Sequence, residues 1–217
     1  MVQSLNRLKE SASQTAGPYV HIGLTPNFCG IGGVYDADLG SRLVGEKARG
    51  ERITVRGRVI DGADTPLRDA LVEIWQADAD GLYNSPSETR GAADPAFAGW
   101  GRCATDMDGG EFVFETIKPG RVPFRDGRPM APHITFWVVA RGINIGLHTR
   151  MYFGDEEKAN AEDPILQRIE HKVRVPTLIA PRDGLVTVDP PRILLLAFLV
   201  YAASGPVTRF LKWRRGA

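Results

Sequence analysis

Histidine and cysteine are the side chains most able to bind a metal ion or act as a nucleophile, and this chain of 217 residues has few of them. It contains four histidines and two cysteines, which are His21, His133, His148, His171, Cys29 and Cys103. No two histidines share a ligand-like spacing. The cysteines lack both metal-site spacing and the density of a secreted disulfide scaffold, which predicts buried thiols in a reducing cytoplasm.

Composition and motifs give no indication of nucleotide or nucleic-acid binding. The glycine-rich residues 28–34 match no phosphate-binding loop, because no strand-loop-helix context surrounds them, and are interpreted as an ordinary loop. A formal net charge of +1 with interspersed signs provides no clustered basic face for phosphate groups. The N-terminus has no apolar segment of signal-peptide length. A small molecule or a protein is therefore the expected partner.

Alternating apolar and polar residues predict several β-strands. Over residues 52–60, Ile53, Val55 and Val59 alternate with polar side chains, which is the period of a half-buried strand. Residues 70–76, 110–116 and 133–140 continue the series, the last as a nearly continuous apolar run suited to a central strand. Helical character is convincing only over residues 155–169, where Pro164 is expected to divide the helix, and a short helix fits residues 5–11. The sequence predicts an all-β sandwich with few short helices.

An ordered series of segments runs through this predicted sandwich. The segments are LVEIWQADADGLY (71–83), GRCATDMDG (101–109), TIKPG (116–120) and APHITF (131–136). In this order, which is more specific than any one segment, they resemble the intradiol aromatic-ring dioxygenases over residues 55–153. The resemblance implies a β-sandwich of the intradiol type and an iron-dependent cleavage of dihydroxy-aromatic rings by dioxygen.

In that family two tyrosines and two histidines hold a ferric ion: one tyrosine follows an Asp-Gly turn, one follows a Pro-Gly turn, and the histidines form a His-x-His pair. Tyr83 and His133 match the first tyrosine and first histidine, whereas Val122 and Thr135 stand where the second ones belong. Valine has no donor atom, and a threonine hydroxyl is a poor substitute for imidazole beside ferric iron. The resemblance therefore implies vestigial ligand positions and no metal on this chain. Alternatively, Tyr83 and His133 are ordinary packed residues.

The family members that cleave 3,4-dihydroxybenzoate are built from alpha and beta chains, and only the beta chains bind iron. This chain resembles the alpha type, which implies a non-catalytic subunit whose partner beta chain holds Fe(III) in the assembled enzyme. The resemblance also implies that residues 15–19, TAGPY, form an extended arm that reaches into the partner's cleft. Thr15, Gly17 and Tyr19 would then contribute to the substrate site. The alternative for this arm is a solvent-exposed tail.

Arg141 is a further candidate for the substrate site. It leaves the predicted strand at 133–140, and we interpret its position as close to the vestigial ligands. A guanidinium there is suited to pair with the carboxylate of the substrate. The alternative is a solvated surface charge. Arg150 is a weaker candidate for the same role.

The chain departs from the family pattern after residue 184. Residues 193–203 are apolar or small, and Arg209, Lys212, Arg214 and Arg215 follow them. This run is too short to cross a bilayer, for which about 20 residues are needed. We interpret residues 189–217 as a divergent or frame-shifted tail in which the closing strand is lost or replaced. The rest divides into an arm with loops at 1–50 and a dioxygenase-like domain at 51–188.

Two other functions fit part of the sequence. A non-catalytic, transthyretin-like β-sandwich binding module explains the strand-turn-strand pattern of residues 55–76, but it leaves TAGPY and APHITF without a role. An independently active dioxygenase requires bound iron despite Val122 and Thr135. An iron-free, cytoplasmic subunit that acts with an iron-binding partner on an aromatic dihydroxy acid and O2 accounts for more of the sequence.

Overall fold

The computed structural model describes residues 16–17, 19–143 and 146–182, together with the backbone of residues 207–215. The strands within these ranges are β1 (Arg52–Ile60), β2 (Leu71–Trp75), β3 (Trp100–Ala104), β4 (Glu111–Ile117), β5 (His133–Val139), β6 (Leu147–Phe153), β7 (Ile179–Ala180) and β8 (Val207–Arg215). The helices are α1 (Val20–Leu24), α2 (Glu157–Glu162), α3 (Pro164–Arg168) and a 3-10 helix at Lys172–Leu178.

The strands form two sheets. One has the order β4-β1-β8 and the other the order β3-β2-β5-β6-β7. Neighbouring strands run antiparallel except β6 and β7, which are parallel. The predicted strands at 52–60, 70–76, 110–116 and 133–140 are confirmed as β1, β2, β4 and β5.

The hydrophobic core lies between the two sheets. Ile53 and Val55 of β1 are fully buried, as the alternation predicts, and Phe112 and Phe114 of β4 extend the same face. Phe136 of β5 meets them from the opposite sheet, with its ring centroid 6.0 Å from that of Phe112. Side chains from two inner faces that interdigitate in this way define a β-sandwich. The predicted all-β sandwich is confirmed.

The helices are short, and all of them except α1 follow β6. The expected break at Pro164 is confirmed, because α2 ends at Glu162 and α3 begins at Pro164, where a proline in the first turn costs no hydrogen bond. The carboxylate of Asp163 caps α3 by accepting from the backbone N–H groups of Ile165 and Leu166. No helix within the described ranges is long and apolar enough to cross a bilayer. The predicted helix at 5–11 lies outside those ranges.

The tail contributes a strand to the sandwich. Strand β8 pairs antiparallel with β1 from Val207 opposite Ile60 to Arg215 opposite Ile53, with a register shift between Gly57 and Arg58. The closing strand was expected to be lost or replaced. The structure shows a strand beside β1, which corresponds to replacement. Residues 183–206, which include the apolar run, lie outside the described residues. The division at 1–50, 51–188 and 189–217 stays a prediction.

Candidate functional site

The two positions of the family's histidine pair, His133 and Thr135, lie on the outer face of the five-stranded sheet. Residues of β5 alternate, so that Ile134 and Phe136 enter the core while His133 and Thr135 point the other way. Strand register adds their neighbours, because residues directly opposite on adjacent strands share a face. Tyr152 of β6 lies opposite His133. On either side of Thr135 lie Trp75 of β2 and Arg150 of β6.

Two interlocked turns bring Tyr83 and Val122 to this face. The Asp-Gly turn before Tyr83 packs against the Pro-Gly turn before Val122, and the Gly120 N–H donates to the Asp78 carbonyl at 2.8 Å. Gly81 has a φ of +79°, and a Cβ there would lie 2.1 Å from the carbonyl oxygen of Arg121. Only glycine fits both the backbone angle and this close approach. The turn sequences therefore fix where Tyr83 and Val122 emerge.

The carboxylate of Asp78 stabilises the first turn from within. One oxygen accepts from the backbone N–H groups of Asp80 and Leu82, and the other from that of Asp94, at 2.8–3.0 Å. Asp78 is only 1% exposed. A buried carboxylate needs donors of this kind to offset the loss of water. Asp78 is thus a structural carboxylate that positions Tyr83.

The two tyrosine positions differ in chemistry. The ring of Tyr83 stacks on that of Trp75, with centroids 6.0 Å apart and an interplanar angle of 7°. Burial raises the pKa of the Tyr83 phenol, and the positive charge of Arg150 acts in the opposite direction. Val122 is buried with Ala77 and Met130, and Tyr83 packs against this apolar cluster. The second position thus provides packing and no donor atom.

The two ring nitrogens of His133 have different surroundings. Its Nδ1–H donates to the Ala131 carbonyl at 2.8 Å, which leaves Nε2 as an acceptor. Nε2 is buried and has no hydrogen-bond partner among the described residues. Burial, reinforced by the charge of Arg150, lowers the pKa of His133 to about 4. The imidazole is therefore neutral near pH 7.

Arg150 places a positive charge within this group. Its Nη1 lies 3.4 Å from the Tyr152 hydroxyl oxygen and 3.5 Å from the Met130 sulfur. Burial raises the pKa of Tyr152 to about 12, so this neighbour stays a neutral phenol. No carboxylate within the described part of the chain forms an ion pair with Arg150. The Tyr152 hydroxyl in turn donates to the buried carboxylate of Asp163 at 3.5 Å, so a guanidinium and a carboxylate lie on either side of this phenol.

These residues do not fit the ferric site that the catalytic members of the family have. Tyr83 and His133 offer one phenol and one imidazole, but Val122 is an apolar residue at 3% exposure and Thr135 faces a guanidinium. A fixed positive charge beside the donors opposes the binding of a cation. Among the residues that the structure describes, no cluster of three or more histidine, cysteine, aspartate or glutamate side chains could hold a metal ion.

The expected location of Arg141 near the vestigial ligands is wrong. Arg141 follows the C-terminal end of β5, whereas His133 begins that strand, and an extended strand of this length spans about 20 Å. The Arg141 guanidinium forms an ion pair with Asp69 while its side chain stays 68% exposed. The extended geometry of the strand separates residues that are only eight apart in sequence.

Arg141 instead lies at the same end of the molecule as the N-terminal arm. His21, two residues after Tyr19, donates from Nε2 to the carbonyl of Asp69, the residue whose carboxylate binds Arg141. Tyr19 is 79% exposed, and a Cβ on Gly17 would meet no atom within 4 Å. Thr15 lies outside the described residues. Asp69 therefore connects Arg141 with His21, and this contact lies away from the pocket around His133.

An exposed apolar surface continues from the arm. We call it the arm surface, and it comprises Tyr19, Ile22, Phe28, Ile31, Val34, Tyr35 and Leu39, each at least 38% exposed. Large exposed apolar side chains that cluster within one segment are typical of interaction sites. The glycine-rich residues 28–34, interpreted from the sequence as an ordinary loop, form part of this surface.

Sequence reasoning did not single out Trp75, Met130 or Tyr152 as residues of the pocket. Each lies on a strand or turn whose partner is distant in sequence, so spacing alone contains no signal for them. A signal exists in the pairing register of β5 with β6, which places residues 150 and 152 beside residues 135 and 133. That register depends on tertiary packing rather than on local pattern.

Comparisons with known proteins agree with this geometry. A family model described as Dioxygenase matches residues 25–188. The protocatechuate 3,4-dioxygenase alpha chain of Pseudomonas putida is 48% identical over 81% of this chain and 85% of its own length. The alpha chain of the same enzyme from Burkholderia cepacia is 38% identical over 83% of this chain and 87% of its own. The Burkholderia cepacia beta chain is 43% identical, but over only 54% of this chain and 51% of its own.

Solved structures support the fold. 3-Chlorocatechol 1,2-dioxygenase from Rhodococcus opacus 1CP has a TM-score of 0.52 at 21% identity, and the match covers 86% of this chain and 69% of that one. The match to hydroxyquinol 1,2-dioxygenase from Pseudomonas putida DLL-E4 has a TM-score of 0.51 at 19% identity and covers 86% and 64% of the two chains. The family model and the two alpha-chain relatives show that this chain belongs to the intradiol ring-cleavage dioxygenase family and is similar over most of its length to protocatechuate 3,4-dioxygenase alpha chains.

Proposed function

We propose that this chain is the alpha-type subunit of a heteromeric protocatechuate 3,4-dioxygenase. The enzyme cleaves 3,4-dihydroxybenzoate with O2 between its two hydroxylated carbons to give 3-carboxy-cis,cis-muconate. One combined observation supports the proposal: the chain is similar to alpha chains over most of its length, yet two of its four ligand positions hold Val122 and Thr135. The iron is accordingly held by a partner beta chain and not by this one.

The contribution of this chain comes from the arm and from Arg141. Fe(III) on the partner, when bound, activates the dihydroxy ring towards dioxygen. Here the phenol of Tyr19 and the backbone around Gly17 offer hydrogen-bond donors to the substrate, and Thr15 precedes them in the arm. Arg141 lies at the same end and is largely exposed, so its guanidinium is available to the carboxylate of the substrate.

The arm surface is the part of this chain that we expect the beta chain to cover. Its aromatic and aliphatic side chains resemble the buried centre of protein interfaces, which is enriched in such residues and depleted in charge. Covering it also places the arm against the partner's cleft. We place the assembled enzyme in the cytoplasm, where Cys29 and Cys103 stay as free thiols. The prediction that both thiols are buried is wrong, because Cys29 is exposed and Cys103 is only partly buried.

The test compares the full chain alone with the chain co-expressed with an iron-binding beta chain of the family. Iron content, visible tyrosinate absorption and O2 uptake with 3,4-dihydroxybenzoate are measured on both samples. We expect all three signals from the complex and none from the lone chain. Iron and activity in the lone chain would refute the subunit role. Failure to form any stable complex would favour the transthyretin-like binding module.

A further inference from the structure

Arg150 lies beside both positions of the family's histidine pair. It is directly opposite Thr135 in the pairing of β5 with β6, so the two residues share a face of the sheet. Its Nη1 atom lies 3.4 Å from the hydroxyl oxygen of Tyr152. The ring of Tyr152 is in turn a neighbour of the His133 imidazole, with centroids 5.7 Å apart. One guanidinium is therefore close to the histidine that is kept and to the one that is lost.

Met130 connects the same guanidinium with the two tyrosine positions. Nη1 of Arg150 lies 3.5 Å from the Met130 sulfur. Met130 is buried with Val122, and its backbone N–H donates to the Val122 carbonyl at 2.8 Å. Tyr83 packs against the same cluster. Burial is the main cause of the pKa shifts of Tyr83 and His133, and the charge of Arg150 is the next cause of both. Arg150 is thus adjacent, directly or through one residue, to all four ligand positions.

A buried carboxylate compensates this charge. The Tyr152 hydroxyl contacts Arg150 on one side and donates to Asp163 on the other at 3.5 Å. Asp163 is fully buried. Its oxygens also accept, at 2.8–2.9 Å, from three backbone N–H groups, which belong to Ala131, Ile165 and Leu166. Charged groups inside a protein persist when they are paired and hydrogen-bonded, and here a phenol lies between the two charges. The positive charge of the pocket therefore belongs to a residue that the fold holds in place.

A metal ion bound in this pocket would meet that positive charge at short range. Like charges a few ångströms apart repel strongly where water is largely excluded. The oxygens of Asp163 already accept from the donors named above, so this carboxylate is not free to neutralise a further cation. The obstacle to a ferric ion thus consists of the resident guanidinium as well as the two missing donor side chains.

We propose that Arg150 provides the positive charge that iron supplies in the catalytic members of the family, and that it excludes the metal from this chain even where all four ligand side chains are present. The inference goes beyond the loss of donors at Val122 and Thr135, which alone would leave a site that two substitutions restore. It uses residues of this chain only and does not rest on the partner or the substrate proposed above.

Substitutions in the full chain separate the charge from the missing donors. Val122→Tyr with Thr135→His supplies two phenols and two imidazoles while Arg150 is kept. The same two changes are then combined with Arg150→Gln, which removes the charge, or with Arg150→Lys, which retains it. Each chain is incubated with ferric nitrilotriacetate, desalted, and assayed for bound iron and visible tyrosinate absorption. We expect about one iron per chain with Arg150→Gln and at least about tenfold less with Arg150 or Arg150→Lys.

Arg56→Gln, added to the two ligand substitutions, is the matched control for the loss of a positive charge. Arg56 lies on β1 in the other sheet and is paired with Glu111. This control should bind as little iron as the chain that keeps Arg150.

A second pair of variants covers the case in which the larger side chain at position 122 prevents folding, as judged by circular dichroism. Thr135→His alone leaves the cluster around Val122 intact and gives three donors together with Tyr83 and His133. It is titrated with Co²⁺, followed by visible absorption, with and without Arg150→Gln. Removal of the guanidinium should tighten Co²⁺ binding at least about tenfold.

The proposal is overturned if the chain with both ligand substitutions binds as much iron with Arg150 as with Arg150→Gln. Equal iron in the Arg150→Gln and Arg150→Lys chains, no iron in any folded variant, or equal Co²⁺ affinities would overturn it as well. These assays contain no beta chain, so a failure here leaves the complex-formation test of the subunit role unaffected.

Discussion

The pocket around His133 and the arm surface around Tyr19 differ in burial, because the first is enclosed by packed residues and the second is exposed. The pocket is buried and tightly positioned by interlocked turns, yet half of its implied ligand set is absent. The arm surface is exposed and apolar, and Arg141 lies at the same end of the molecule. The comparison indicates that the interior keeps the family's architecture, whereas the proposed contribution to catalysis has moved to a surface that a partner can cover.

The largest effect is expected from Gly81→Ala, which breaks the architecture of the pocket. The new Cβ would lie 2.1 Å from the Arg121 carbonyl oxygen on a backbone with a φ of +79°. Strain and overpacking together should lower the free energy of unfolding by about 3 kcal/mol or more. Urea unfolding followed by tryptophan fluorescence measures the loss.

Gly127→Ala is the matched control for that substitution. Gly127 has a φ of +84°, but a Cβ there would meet no atom within 4 Å, so only the backbone strain remains. We expect a loss of about 1–2 kcal/mol. Equal losses at the two glycines would show that the close approach of the two turns is not important for stability.

The next effect concerns His133 and pH. Its pKa is lowered from 6.5 to about 4 in the folded chain, so between these values the unfolded chain binds a proton that the folded chain does not. The resulting stability is fully present above pH 6.5 and is lost as the pH falls towards 4, by roughly 3 kcal/mol in total. Denaturant unfolding at pH 7, 5.5 and 4.5 should show a steeper decline for the wild type than for His133→Gln.

His171→Gln is the control for this pH series, because His171 is exposed. Its stability should follow that of the wild type at each pH. Parallel declines in the wild type and His133→Gln would mean that His133 is not a source of the acid sensitivity.

The smallest effect on the stability of the fold is expected from Arg141→Gln, at the end of the molecule opposite the His133 pocket. The side chain is 68% exposed in its pair with Asp69, so stability should change by less than about 1 kcal/mol. In the complex with a beta chain, the KM for 3,4-dihydroxybenzoate should rise about tenfold, as expected when a charged hydrogen-bond donor is removed.

Arg128→Gln, which removes another exposed ion pair, serves as the control in the same complex and should leave KM unchanged. An unchanged KM in Arg141→Gln would remove Arg141 from the substrate site. A fall in stability equal to that of Gly81→Ala would instead assign it a structural role.

Local pattern was sufficient to predict much of the fold. The alternation of Ile53, Val55 and Val59 predicts β1 with its correct face inward, and Pro164 predicts the break between two helices. The ordered turn motifs predict that Tyr83 and His133 belong to one region. The strand and helix signals each lie within about a dozen residues, where backbone geometry and burial period dominate.

Long-range placement could not be predicted in the same way. Arg141 was expected near the vestigial ligands because it leaves the strand that carries His133, but that extended strand separates the two residues. Arg150 reaches the pocket only through the register of β5 with β6, and β8 joins β1 across a long sequence separation. These arrangements depend on strand pairing, which local composition does not determine.

The contact between the turns at Gly81 and Gly120 fixes the backbone beside the pocket, whichever side chains the turns carry into it. The two backbones meet through main-chain atoms, and the side chains at positions 83 and 122 take no part in that contact. Residues at positions 83 and 122 can therefore change without altering the frame that displays them. For protein engineering, these two turns are a preformed backbone on which metal-binding or ligand-binding side chains can be introduced one at a time.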